Sequence, residues 1–311
     1  MGNLSLTWDS KMWLKRMNNA IEVWEYRNAR QMVFTNTVDI VRAGGYLTED
    51  GEEVTLPDSS MLASHSAFFT AEIPMSHHTE NYETQYGVAN EDCLAFARKM
   101  YEREGEVCVL NLANRRNPGG GVENGEGAQE EYLFRCSNYF LSLYQYKASL
   151  AESYGLPVSS NQYPMHRNFG GIYSPGVTVF RDTEASGYKL LSKPWQANFI
   201  AVAAINSPNT IVRGNEYVMD DYCEGITRNK VRTILRIAKQ FNQKVLVLGA
   251  LGCGVFHNPP GHVSQIFKEI LAEEEFQGCF KKVYFAITDK KGAEESNFGC
   301  FAAKFGDYVE K

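Results

Sequence analysis

From about residue 90 onward, apolar residues recur along this chain with two alternating periods. Residues 107–111, 171–180, 199–205, 244–248 and 283–288 are short apolar runs, which predict buried strands. Between them, residues 90–104, 128–147, 220–241 and 261–277 space their apolar side chains three and four apart, which predicts helices. In the first helix Asn90 is placed as the cap, with Cys93, Leu94, Ala97 and Met100 facing inward. In the second, Leu133, Cys136, Phe140, Leu143 and Tyr144 share a face. Strands alternating with helices predict an α/β fold, a mixed or mostly parallel sheet flanked by helices on both faces. The first 88 residues read differently. Residues 13–32 suggest one amphipathic helix with Trp13, Met17, Ile21, Trp24 and Asn28 along one side, and Asp50-Gly51 signals a hairpin within 43–56. Residues 74–88 are polar and irregular. The expectation is an N-terminal accessory segment, 1–88, packed on a core formed by 89–311.

Composition narrows the class. The 311 residues are 44% hydrophobic and 22% charged, ordinary values that argue against a disordered or fibrous chain. Seven cysteines, odd in number and without a CxxC pair, fit reduced thiols better than a disulfide framework or a zinc site. The histidines give no metal-ligand spacing, so no metal is expected. No apolar run approaches the roughly 20 residues that span a bilayer, and the amino end has no secretory pattern, so the expectation is a cytoplasmic protein without a membrane partner. A formal charge of −6 disfavours tracking of a nucleic-acid backbone but leaves room for a small anionic ligand held by local groups.

The candidate chemistry lies in two glycine loops, each after an expected strand, and ligands of such sheets bind beyond the strand carboxyl ends. The first runs NLANRRNPGGGVENGEGAQEE over 111–131, the second GALGCGVFHNPPG over 249–261. Gly119, Gly120 and Gly121 remove every Cβ, which allows backbone amides to approach a ligand. The second loop leads into a helix, and a glycine loop joined to a helix N-terminus suits an anion. Its GxxGxG spacing is neither the dinucleotide fingerprint nor a P-loop. Gln129, Glu130 and Glu131 fall in the first turn of a helix, where adjacent side chains diverge by about 100° and the two carboxylates are free to take different tasks.

Gly119-Gly120-Gly121, seven residues, then Gln129-Glu130-Glu131 resembles the GGG…QEE signature of the microbial-type poly(ADP-ribose) glycohydrolases, which have a macrodomain core. The likeness extends to Asn117-Pro118, to IYSPGVTVFRD at 172–182 and to 249–259. It implies a three-layer macrodomain-like sheet and hydrolysis of ribose–ribose O-glycosidic bonds, mainly exo-acting, with no metal and no cofactor. The substrate would be poly(ADP-ribose) or an ADP-ribosylated protein, with ADP-ribose as product and no sequence-specific nucleic acid as partner. By that resemblance Glu131 is the catalytic acid and Glu130 holds ribose hydroxyls. Asn114 lies near the distal ribose, and Gly119, Gly120, Gly121 and Gln129 border the ligand. Gly252, Cys253, Gly254 and Val255 surround the diphosphate with backbone amides, and Phe256 covers a ribose or the adenine. Cys253 reads as a small residue between glycines rather than a nucleophile, and Arg115-Arg116 as a solvated pair or an attractor of polymer phosphates. The alternatives are a mono-ADP-ribosyl hydrolase on protein or nucleic acid and a non-catalytic ADP-ribose reader. The intact QEE triplet favours turnover over mere binding.

Overall fold

The computed structural model describes residues 5–77, 80–289 and 296–309. In chain order the elements are α1 (Ser10–Asn19), α2 (Val23–Ala43), β1 (Gly45–Leu47), β2 (Glu53–Thr55), α3 (Leu62–His65), β3 (Ala67–Phe69), β4 (Gln85–Ala89), α4 (Cys93–Glu104) and β5 (Cys108–Leu112). Then follow α5 (Gln129–Cys136), α6 (Phe140–Leu143), α7 (Ala148–Tyr154), β6 (Gly171–Arg181), β7 (Leu190–Val202), β8 (Thr210–Arg213), β9 (Glu216–Met219), α8 (Asp221–Gln240), β10 (Val245–Leu248), α9 (Pro260–Leu271), β11 (Lys282–Ala286) and α10 (Asn297–Phe305). They form two compact units. Unit one comprises Met1–Ser66, Arg116–Tyr163 and Ser174–Ala197; unit two comprises Ala67–Arg115, Pro164–Tyr173 and Asn198–Lys311.

Unit two carries most of the sheet, including residues 171–173 of β6 and 198–202 of β7. The seven strands of the sheet run β3-β6-β7-β5-β10-β11-β4. From β7 to β4 the paired neighbours are parallel, while β3 joins the Gly171–Tyr173 end of β6 antiparallel. The expected mixed α/β sheet is therefore present, and the period of two in its strands explains the helices on both faces. Tyr284 and Phe285 are consecutive in β11 and point to opposite sides. Tyr284 meets Phe96 of α4, centroids 5.7 Å apart, and Phe285 meets Phe267 of α9 at 5.3 Å. On the α9 side, Leu110, Val202, Leu246, Leu248 and Val283 join the inward faces of α8, α9 and α10 in one buried core. The cap of α4 is Asp92, which accepts from the Leu94 and Ala95 amides, and not Asn90. Asn90 instead exchanges hydrogen bonds with the Asp289 backbone, tying the ends of β4 and β11.

Unit one is organised around α2. The single helix expected over 13–32 is two helices, because Glu22 and Glu25 form a reciprocal capping box that restarts the helix after an extended Ala20. Ile21 and Trp24 consequently face solvent, 85% and 60% exposed, while Trp13 is buried. The expected helix over 128–147 is also divided. Ser137 is extended and bridges Val179, and Asn138 exchanges hydrogen bonds with Thr178, so β6 captures the backbone between α5 and α6. The β1–β2 hairpin forms as expected. Tyr46 and Val54 bury against Ile40, Phe180 and Leu190, and the Tyr46 hydroxyl donates to Leu191 O at 2.5 Å.

Candidate active site

In unit one, α5 begins at Gln129 and has no side-chain cap, so Glu130 and Glu131 stand in its first turn. Both are buried, and both carboxylates turn back onto the triple glycine. Glu130 Oε1 accepts from the Gly119 amide at 3.1 Å, and Glu131 Oε1 accepts from the Gly121 amide at 2.8 Å. The Gly120 amide donates to Asn117 O at 3.1 Å. All three glycine amides are thus engaged inside the protein. Their partners are the carboxylates and a neighbouring carbonyl. Gly120 has φ +59, and a Cβ there would stand 2.1 Å from Glu131 Oε1. Only glycine lets the carboxylate come this close.

Glu131 Oε2 is the distinctive atom. It is buried and has no hydrogen-bond partner among the described residues, whereas Oε1 of the same carboxyl is anchored. Leaving a buried carboxyl oxygen unpaired costs on the order of 1–3 kcal/mol, so such an atom calls for a functional account. Around Glu130 the phenols stay protonated. Burial pushes the Tyr163 and Tyr144 hydroxyls far above their usual range, and the Glu130 carboxylate adds to that in both.

The constellation is held from behind. Phe134 of α5 packs on Tyr139, Tyr144 and Phe34 of α2. Arg135, fully buried, donates from Nε to the Tyr188 hydroxyl at 2.7 Å and from Nη1 to Glu126 O at 2.7 Å. Tyr188 in turn donates to Glu184, which also pairs with Arg30 of α2. Thr37 of α2 donates to Arg135 O, and Gln31 of α2 to Glu123 O. Arg135 and the α2 side chains were missed from sequence. The one available signal was an arginine four residues after Glu131, inside the otherwise apolar stretch that follows the triplet.

In unit two, β5 and β10 are adjacent and parallel, with Leu246 opposite Cys108 and Val247 opposite Val109. Asn114 and the second loop therefore both follow the carboxyl ends of neighbouring strands. The second loop is pinned by one side chain. Asn258, 2% exposed, donates from Nδ2 to Ile205 O at 2.7 Å, Gly252 O at 3.0 Å and Phe256 O at 3.1 Å. Gly252 has φ +75, and a Cβ there would lie 2.5 Å from both Ala204 Cβ and Asn258 Nδ2. Gly254 has no such requirement: its φ is ordinary, and no atom stands within 4 Å of where a Cβ would be. The Cys253 amide donates to Ala250 O. The amides of Gly254, Val255 and Phe256 donate to no group among the described residues, and Gly254 and Val255 are exposed. Burial pushes the Cys253 thiol well above its usual range, which fits a packed residue and not a nucleophile. Among the described residues no three His, Cys, Asp or Glu side chains form a metal-holding group, and no helix is long and apolar enough to cross a membrane.

The family described as microbial-type PARG, catalytic domain, matches residues 35–182. Among solved structures, poly(ADP-ribose) glycohydrolase from Thermomonospora curvata bound to the inhibitor ADP-HPD is 27% identical, with a TM-score of 0.70 over 90% of this chain and 100% of that one. Poly(ADP-ribose) glycohydrolase from Deinococcus radiodurans in complex with ADP-ribose is 30% identical, with a TM-score of 0.62 over 81% of this chain and 98% of that one. No curated protein matches the chain. The glycine–carboxylate geometry, the mixed sheet and near-complete coverage of these relatives lead to one assignment: the chain belongs to the microbial-type poly(ADP-ribose) glycohydrolase family.

Proposed function

We propose that the chain hydrolyses the ribose–ribose O-glycosidic bonds of poly(ADP-ribose) and releases ADP-ribose, with Glu131 as the single acid and base. The observation that carries this reading is the split environment of the Glu131 carboxyl. Oε1 is fixed by the Gly121 amide, and Oε2 is buried without a partner among the described residues. Breaking a ribosyl C–O bond leads through an oxocarbenium-like state and requires a proton on the leaving oxygen. Glu131 Oε2 gives that proton, and the resulting carboxylate then takes one from the water that attacks the anomeric carbon. Glu130, fixed by Gly119, orients ribose hydroxyls. In unit two the undonated amides of Gly254, Val255 and Phe256 suit the oxygens of a diphosphate. A protein that only binds ADP-ribose has no use for a buried carboxyl oxygen without a partner, which favours turnover.

The direct test is to incubate the protein with poly(ADP-ribose) and, separately, with mono-ADP-ribosylated protein. The expected result is monomeric ADP-ribose from the polymer. Release from the mono-modified protein alone would reassign the chain to mono-ADP-ribosyl hydrolysis. We also propose mainly exo action, on the reading that the hairpin segment 44–56 is additional to a minimal macrodomain. Early products should be monomers, and intermediate oligomers appearing first would mean an endo-competent enzyme.

A further inference from the structure

The chain buries Arg135, Arg181 and Lys230 almost completely. Burial pushes Lys230 of α8 down to about 7, so that side chain can shed its charge. A guanidinium keeps its charge through the ordinary pH range, and each buried arginine must be met by acceptors. Arg181 donates to Thr37 Oγ1, Asn36 Oδ1 and Tyr188 O, all outside the first glycine loop. Arg135 is different: one of its donors goes into the loop that holds Glu131.

The hydrogen bonds of unit one close a circuit there. Glu131 and Arg135 stand four residues apart on α5 and so share a face of the helix. Glu131 Oε1 accepts from the Gly121 amide at 2.8 Å. The Gly121 carbonyl accepts from the Asn124 amide at 2.9 Å and from the Glu126 amide at 3.2 Å. The Glu126 carbonyl accepts from Arg135 Nη1 at 2.7 Å, which returns the circuit to α5. The loop it encloses has no slack. A Cβ at Gly121 would stand 2.5 Å from Glu126 Cγ, one at Gly125 2.0 Å from Arg27 O, and one at Gly127 2.4 Å from Arg30 Nη1. Arg27 also pairs with the Glu126 carboxylate at 2.5 Å. On its far side the guanidinium is aimed by Tyr188, whose hydroxyl accepts from Nε at 2.7 Å and donates to Glu184 at 2.6 Å.

Burying an arginine is a poor route to stability, because apolar residues of similar volume often serve as well or better. What the guanidinium supplies is direction, two donors held at a fixed angle. We propose that Arg135 is a positioning residue for the reaction: through Glu126 and Gly121 it fixes Oε1 of Glu131, and with it the place of Oε2, without touching substrate. The inference rests on the reading of Glu131 as the acid and base.

The test uses the full chain carrying Arg135→Lys, since one ammonium cannot reproduce the fork that meets the Tyr188 hydroxyl and the Glu126 carbonyl together. Turnover of poly(ADP-ribose) is expressed per ADP-ribose-binding molecule, counted by calorimetric stoichiometry, so that unfolded protein is not scored as slow enzyme. The expected result is a kcat lowered about tenfold or more, with KM and the Kd for ADP-ribose changed by less than about threefold. Tyr188→Phe, which keeps the aromatic ring and frees Nε, should lower kcat a few-fold and serves if Arg135→Lys does not fold. Val54→Ala is the control for mere destabilisation. It opens space in the hairpin core, touches no member of the circuit, and should leave kcat per binding site within about twofold. A loss in Val54→Ala equal to that in Arg135→Lys would make the arginine structural only. A second readout needs no turnover: amide hydrogen exchange at Gly121, followed by NMR, should lose about tenfold in protection in the Arg135 or Tyr188 variant and stay unchanged in Val54→Ala. Unchanged kcat in both variants, or unchanged protection at Gly121, overturns the proposal. If the wild-type protein cleaves no polymer, the glycohydrolase reading falls, and exchange at Gly121 alone decides whether Arg135 fixes the Glu131 carboxyl.

Discussion

The two glycine loops look alike in sequence and differ in what their backbones do. In the first, the amides of Gly119, Gly120 and Gly121 are consumed within the protein, two of them by carboxylates. Here glycine serves to bring side-chain acids against the main chain. In the second, three successive amides from Gly254 to Phe256 are left undonated among the described residues, and one buried asparagine fixes the loop through three carbonyls. There glycine serves to expose backbone. A glycine cluster therefore signals close approach without saying what approaches, and the answer lies in where each N–H points.

Substitutions sharpen that contrast. Gly120→Ala has the largest expected effect among the loop positions. Its Cβ would overlap Glu131 Oε1 at a φ of +59, so the carboxyl must move, and turnover should fall on the order of 100-fold with the fold retained. Activity near wild type, measured on polymer with circular dichroism as the folding control, would mean that the close approach is incidental. Asn258→Ala removes an amide whose two N–H groups are shared among three carbonyls. It should lower stability by about 2 kcal/mol and weaken ADP-ribose binding about tenfold, read by thermal melting and calorimetry. A smaller and more discriminating pair is Gly252→Ala against Gly254→Ala. The first meets atoms at 2.5 Å in a left-handed conformation and should cost about 1–3 kcal/mol. The second meets nothing and should leave stability within about 0.5 kcal/mol, because surface substitutions free of strain rarely do more.

The last of these predictions is a pH dependence. With Lys230 held at about 7 in the folded chain, the unfolded chain binds the extra proton between about pH 7 and the ordinary lysine range. Stability in that window therefore rises with pH. Lys230→Met should flatten that slope in denaturant titrations taken at several pH values, and an unchanged slope would locate its origin elsewhere.

How much of this was legible from sequence depended on whether one residue or many decided the outcome. Five of the seven sheet strands were legible because they, like Val245–Leu248, are apolar runs, whereas β3 and β4 fell in the stretch read as accessory. Placement of Glu130 and Glu131 in a first helical turn was legible from the residues that precede them. The breaks at Ala20 and Ser137 were not. Each depends on a specific exchange of hydrogen bonds, Glu22 with Glu25 and Asn138 with Thr178, that leaves the apolar spacing on either side intact. The first part of β7, Leu190–Ala197, was not assigned, because Ser192, Lys193, Pro194 and Gln196 interrupt its apolar run. Arg135, Arg181 and Lys230 were also invisible as buried residues, because periodicity assigns charge to the outside and only packing shows the exception.

The central claim is that Glu131 Oε2 moves the proton. Glu131→Gln keeps the shape and the anchored oxygen but cannot cycle a proton at that position. Turnover of poly(ADP-ribose) and calorimetric affinity for ADP-ribose should be measured side by side on this variant. The account predicts a rate loss of roughly 10²–10⁴ with Kd changed by less than about tenfold. A variant retaining more than about a tenth of wild-type turnover would contradict it, since general acid–base catalysis by this carboxyl would then contribute little.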